Sequence, residues 1–206
     1  MDILADPRVD RGLLERYHFD EARFRADRDA ILDGRLGFDT HTVTGPIEPA
    51  PGVVDLTSDA DAARAAGEAA LADGQVATVV LNGGMATRFG GVVKGVVEVY
   101  DGHSFIALKA EDVRRAGARF GRPVPLVLMN SFATAEATAR HVAEHDRFGL
   151  GEAGLLAFDQ TISIRMDPDG GLFIGDDGQP SYHAPGHGDF FACIRRSGVL
   201  DQLRSR

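Results

Sequence analysis

Three stretches of this chain are short, continuously apolar and rich in branched side chains: QVATVVLN (75–82), PVPLVLMN (123–130) and GLLAFDQ (154–160). A strand without polar alternation has both of its faces covered, which is the mark of a parallel sheet between helices. Helical patterns separate the three. SDAD opens an alanine-rich helix with Ser58 as N-cap, and that helix ends at Gly74; a second helix is expected over 103–118, and Thr134 caps a third through His145. The expected fold is α/β: a Rossmann-like, mixed but mainly parallel sheet with helices on both faces. In such sheets ligands gather beyond the carboxyl ends of the strands. The richest loops stand there, after Leu81, after Met129 and after Phe158, while a fourth, around His187, precedes a helix.

Outside this rhythm the chain changes character. Residues 1–57 place Leu13, Tyr17, Phe24 and Ile31 at helical spacing among charges, then run through THTVTGPIEPAPGVVDL, an extended loop. They read as a helical appendage on a main domain of residues 58–206. After Gln160, TISIRM and GGLFIGDDGQP read as short strands or a hairpin, and a last helix is expected over 190–200. The formal charge of −9 argues against a nucleic-acid partner, which would require a basic face. No apolar run approaches the roughly 20 residues that cross a bilayer, so no membrane partner is expected. The N-terminus MDILADPRVDRG lacks an export signal, and the single cysteine, Cys193, excludes an internal disulfide. A cytoplasmic protein is expected.

The chemistry centres on LNGGMATRFGGVVKG (81–95). Gly83, Gly84, Gly90 and Gly91 permit close backbone approach, so several N–H groups can face one anion, and Arg88 and Lys94 add charge. Glycine content alone leaves two readings open, a phosphate cradle and a flexible turn that binds nothing. The loop is not a Walker P-loop, because Val93 precedes Lys94 and Gly95 follows it; nor is it G-x-G-x-x-G, because Met85-Ala86-Thr87 follow Gly84.

A longer pattern does match. The loop resembles the L-x-G-G-x-G-T-x-x-G…P-K-G signature of the UDP-sugar pyrophosphorylases, in particular the UTP–glucose-1-phosphate uridylyltransferases. MNSF (129–132), FDQTISIRM (158–166) and APGHGDF (184–190) are similar to that family's later segments, in the family's order. Four departures stand out: Ala86 replaces a glycine, the segment before Lys94 is one residue short, Val93 replaces a proline, and Ile164-Arg165 stands where the family has Pro-Arg. The resemblance implies a nucleotide-diphospho-sugar transferase fold, incomplete at the C-terminus, and a Mg²⁺-dependent reaction of UTP with glucose 1-phosphate giving UDP-glucose and pyrophosphate. LNGG, MNSF and PGHGD stand closer to the glucose enzyme than to the N-acetylglucosamine enzyme.

By that resemblance Lys94 and Arg88 neutralise the triphosphate as the catalytic cations. Leu81, Asn82, Gly83 and Gly84 form the nucleotide loop, and Gln160 hydrogen-bonds the uracil. Met129 lies along the base, Asn130 supports the pocket, Gly186 presses its backbone close, and His187 sits near the phosphates or the sugar. Asp189 is expected to fix its loop. No residue is assigned to a metal, and the aspartate that binds Mg²⁺ in the family is expected downstream of Arg206. His141 and His145 read as an exposed helix face. Two alternatives remain: a non-catalytic uridine-nucleotide-binding module, and a pyrophosphorylase acting on another sugar 1-phosphate, such as N-acetylglucosamine 1-phosphate.

Overall fold

The computed structural model describes residues 2–37, 42–53, 57–58, 60–84 and 91–206. In chain order the elements are α1 (Arg11–Arg16), α2 (Glu21–Leu32), α3 (Ala60–Ala72), β1 (Thr78–Leu81), β2 (Glu98–Tyr100) and β3 (His103–Ser104). They continue with α4 (Phe105–Phe120), β4 (Leu126–Asn130), α5 (Ala135–Glu144), α6 (Gly151–Gly154), β5 (Leu155–Asp159), β6 (Ser163–Ile164), β7 (Tyr182–His183), α7 (Phe190–Arg196) and α8 (Val199–Arg204). They fall into two compact units, Met1–Pro49 with Thr161–Pro185, and Ala50–Gln160 with Gly186–Arg206. These units divide the chain at three places, where the sequence pattern marks one boundary, at residue 57.

The second unit holds a parallel sheet in the order β1-β4-β5. Every residue of central strand β4 is buried, and the pleat sends its side chains to opposite faces. Leu126 and Leu128 join Ile106, Ala110 and Val113 of α4, Val142 of α5 and Leu155 in one cluster. Val127 and Met129 join Phe158, Cys193 and Ile194 of α7, and Val199 of α8 in the other. Both faces are therefore covered, which is why these strands carry no polar alternation. The register sets Leu81 beside Met129, and Met129 beside Phe158, so all three strands end in one row.

Several boundaries differ from expectation, each for a local reason. Helix α4 starts at Phe105 rather than His103: Ser104 is its N-cap, accepting from the Ala107 N–H at 3.1 Å. His103 belongs instead to an antiparallel hairpin with β2, turned at Asp101-Gly102 with φ of 47° and 75°. Asp-Gly is the turn that suits those angles. Helix α3 begins at Ala60, two residues beyond Ser58, and its cap position, 59, lies outside the described residues. Thr134 does precede α5, but its hydroxyl accepts from the Ser131 N–H at 2.9 Å rather than from the helix. The final helix is broken in two, with Gly198 at φ 75° between α7 and α8.

In the first unit Asp10 and Asp20 cap α1 and α2 by accepting backbone N–H groups at 2.9 Å. Leu14, Tyr17 and Phe24 form the core with Ile3, Leu4 and Val9. The expected hairpin after Gln160 is present as β6 and β7, with Ile164 opposite Tyr182. Tyr182 ties it to the helices, its hydroxyl accepting the Asp10 N–H at 2.8 Å, and Arg28 Nε donates to the Gly170 carbonyl at 2.8 Å.

Candidate functional site

The row of strand ends is built from backbone first. The Asn82 N–H donates to the Met129 carbonyl and the Gln160 N–H to the Asn130 carbonyl, both at 2.8 Å, so the ladder extends one residue past each strand. That extension draws Asn82, Asn130 and Gln160 together at the sheet's carboxyl edge.

Their side chains then divide into two groups. Asn82 Nδ2 donates to Asn130 Oδ1 and to Thr138 Oγ1 of α5, both at 2.8 Å. All three residues are buried, so this is a satisfied polar clamp between the residue after β1, the last residue of β4 and helix α5. Asn82 thus serves as scaffold. The 3-10 turn Lys94–Val96 docks on the clamp: a Cβ on Gly95 would meet Asn82 Oδ1 at 2.3 Å and Ile106 Cδ1 at 2.9 Å. Glycine at 95 is what lets this turn sit against the strand ends, and it carries the exposed Lys94 there.

Gln160 is the second group. Its side chain is 2 % exposed, yet Oε1 has no hydrogen-bond partner among the described residues. Buried polar atoms are nearly always satisfied, and leaving one unpaired costs about 1–3 kcal/mol. The amide lies against Gly83, where a Cβ would stand 2.7 Å from Nε2 and 3.0 Å from Cδ. Gly83 is therefore a contact surface for Gln160. Gly84, the next residue, is exposed.

Met129 does not line an open site. Its side chain is fully buried on the α7 and α8 side of the sheet, the ordinary fate of an apolar residue in a central strand. Leu81 is 41 % exposed at the end of edge strand β1. Arg88 and Ala86 lie outside the described residues. Gly186, at φ 109°, leads into a short 3-10 turn that holds the exposed His187, immediately before α7. Asp189 accepts the Cys193 S–H at 2.9 Å, so its carboxylate ties that loop to the helix, in keeping with the role expected of it. Arg165 falls in the first unit and Lys94 in the second.

Gly95 and Thr138 were not singled out by the sequence reading. A glycine directly after the loop lysine was the available signal for the first. Nothing local marks Thr138, because its partner is 56 residues away. One turn further along α5, the His141 imidazole is held below its ordinary pKa, chiefly by burial and next by the charge of His145, with Glu144 opposing. A cavity of about 390 Å³ lies elsewhere, beside Gln75, Val76, Pro123 and Pro125, just ahead of β1 and β4. It faces the amino ends of those strands. The strand-end row is the better candidate, because glycines, a cation and an orphaned amide converge there.

Two solved structures share this parallel α/β fold. The UDP-N-acetylglucosamine pyrophosphorylase of Trypanosoma brucei aligns with a TM-score of 0.56 and 26 % identity, over 68 % of this chain and 30 % of that one. A UDP-glucose phosphorylase from the same organism aligns at 0.55 and 25 %, over 64 % and 29 %. The family model for UTP–glucose-1-phosphate uridylyltransferase matches residues 48–206, and the chain belongs to that family. The UTP–glucose-1-phosphate uridylyltransferase of Solanum tuberosum is 33 % identical over 130 residues, 61 % of this chain. The aligned part is 27 % of the potato protein, so the chain spans about a quarter of that relative's length.

Proposed function

We propose that this chain supplies the uridine-nucleotide cradle of a uridylyltransferase that converts UTP and glucose 1-phosphate to UDP-glucose and pyrophosphate. The single observation that carries the reading is Gln160, a buried amide with an unpaired acceptor held against Gly83 at the sheet's carboxyl edge. Uracil offers N3–H as a donor and a carbonyl oxygen as an acceptor, so one carboxamide satisfies both and loses its orphaned atom. Cytosine presents an acceptor at N3 and a donor at its amino group, so it pairs only with the amide turned over, and UTP is preferred as long as Oε1 is the atom that faces the base. Because a site built to hydrogen-bond a partner rejects analogues that leave it unpaired, the discrimination is larger than its contact area suggests.

In the reaction a phosphate oxygen of glucose 1-phosphate attacks the α-phosphorus in line. A P–O bond forms as the bond to the leaving pyrophosphate breaks, with no covalent enzyme intermediate. Catalysis of this kind is positioning and charge neutralisation. Lys94 meets the developing negative charge, placed by the Gly95 contact on Asn82, and Arg88 adds a second cation. The backbone of Gly83 and Gly84 approaches the nucleotide, Asn130 holds the clamp, Leu81 borders the loop, and Gly186 and His187 face the phosphates or the sugar. Among the described residues, the β1, β4 and β5 ends offer carboxamides, glycines and one carboxylate, Asp159. That is no complete Mg²⁺ cage. Mg²⁺ is typically held by one or two carboxylates plus substrate phosphates; bound with the triphosphate, it would offset phosphate charge beside Lys94.

No helix among the described residues is long and apolar enough to cross a membrane. Buried, reduced Cys193 suits the reducing cytoplasm in which we place the protein. Calorimetric titration with UTP and CTP tests the reading. The unmodified chain binds UTP more tightly, and Gln160→Ala narrows the difference. Equal affinity for both nucleotides in the unmodified chain removes the uracil role. Pyrophosphate release by the full-length protein, with glucose 1-phosphate and N-acetylglucosamine 1-phosphate compared, decides the sugar.

A further inference from the structure

Helix α5 ends in a group that the nucleotide reading leaves unused. His141-Val142-Ala143-Glu144-His145 spells H-x-x-E-H, with His141 three and four residues before the other two donors. Residues at those separations share a helix face. In the structure one donor atom from each of His141, Glu144 and His145 lies within 4.8 Å of the others. The imidazole centroids are 4.3 Å apart.

Aromatic packing accounts for part of this, since Phe148 stacks on His145 at 5.4 Å and 22°. It does not account for how the rings are tethered. His145 Nδ1 lies 2.8 Å from the His141 carbonyl, which can only accept, so Nδ1 carries the proton and Nε2 presents a lone pair outward. His141 Nε2 lies 2.7 Å from the Ser104 hydroxyl, which already accepts the Ala107 N–H and retains a second lone pair for an imidazole N–H. That bond leaves His141 Nδ1 as the available donor atom. One ring nitrogen fixed on an oxygen and the other open is how metal-binding histidines are oriented. The site also stands at a helix C-terminus, where the backbone dipole favours a cation. Phe148 closes one side against water.

We propose that His141 Nδ1, His145 Nε2 and the Glu144 carboxylate bind one divalent transition-metal ion of the zinc class, with water in the remaining position. Two imidazole nitrogens with one carboxylate suit zinc, cobalt, nickel or copper rather than Mg²⁺, which demands oxygen ligands. Glu144 and His145 are exposed, so small side-chain rotations bring the three donors to metal-bond distance, about 2.0–2.2 Å. The site is independent of the strand-end row and adds a second ligand class to the molecule.

The test is calorimetric titration of the purified chain with ZnCl₂, repeated with CoCl₂ while visible absorption is followed. One ion binds per chain, the cobalt form shows the intense bands of a low-coordinate N/O site, and excess MgCl₂ does not compete. His145→Ala, at an exposed position beyond the helix, weakens zinc binding at least tenfold while its circular dichroism and UTP affinity stay unchanged. Ser104→Ala, which removes the tether on His141 together with the N-cap of α4, weakens it roughly 10- to 100-fold, and urea unfolding of the same variant reads the cap loss separately. Absence of zinc binding by the unmodified chain overturns the proposal, as does equal affinity in His145→Ala. Either result leaves the nucleotide reading intact, because UTP binding is measured separately on the same samples.

Discussion

Replacing Gly83 by alanine isolates one contact. Gly83 is not in the left-handed backbone region, so a methyl group there causes no dihedral strain. What it meets is the Gln160 amide, at 2.7 Å from Nε2 and 3.0 Å from Cδ, against an ordinary contact limit of 3.4 Å. The shortfall of about 0.7 Å must be taken up by a side chain only 2 % exposed, whose backbone is pinned to Asn130. Overpacking of this kind costs about 1–3 kcal/mol. In a chain of this size that lowers the melting temperature by roughly 2–4 °C per kcal/mol.

The reasoning is sharpened by a double-mutant cycle. Gln160→Ala removes the obstructing amide, so Gly83→Ala becomes nearly neutral in that background. The coupling energy equals most of the single-mutant penalty, within the range of about 0.5–3 kcal/mol seen for residues in contact. Urea unfolding followed by circular dichroism measures all four stabilities, and UTP titration follows function. Stability returns in the double variant, while UTP selectivity does not. A Gly83→Ala protein as stable as the parent, or the same penalty with and without Gln160, refutes the packing argument.

Lys94→Ala weakens UTP binding roughly tenfold or more, the loss expected for a contact to a charged group worth about 1.5–3 kcal/mol, and leaves urea unfolding within about 0.5 kcal/mol. Unchanged UTP affinity removes Lys94 from the cradle. Gly67→Ala stabilises the chain by up to about 1 kcal/mol, because Gly67 lies inside α3 with nothing within 4 Å of the new methyl group. A loss of stability on urea unfolding shows that α3 packs differently. The Asp6 carboxyl is lowered to about 2, first by the Arg8 side-chain hydrogen bond and next by the Arg8 N–H. A depressed folded-state pKa makes a stabilising contribution that is complete above the ordinary carboxylate value and lost as pH falls through about 2. A carbon-detected NMR titration of Asp6 with its midpoint at the ordinary value shows that the pair is absent in solution.

The sequence alone specified the three-strand parallel arrangement and its family. A strand covered on both faces cannot afford polar alternation, so VVL, LVLM and LLAF betray their burial without any partner being known. Short-range chemistry was read less well: the caps expected were Ser58 and Thr134, the caps seen at α1, α2 and α4 are Asp10, Asp20 and Ser104, and the hairpin at Asp101-Gly102 was missed in favour of an earlier helix start. The four motifs fixed the family, since their order along the chain is itself information.

Only the tertiary structure decided what the described motif residues touch. Met129 and Asn130 are neighbours in the sequence, yet the pleat sends one side chain into the core while the other meets Asn82. Gln160 was expected from the resemblance to meet the uracil; that it is buried against Gly83, with Oε1 unpaired among the described residues, is visible only in the fold. Thr138 carries no local signature, because its role exists only through Asn82, which the strand register brings within reach, and Gly95, though marked by the lysine before it, meets Asn82 only in the fold. Period and propensity act over a few residues and are written in the chain; hydrogen-bond partners and close approaches depend on which distant segments the sheet sets side by side.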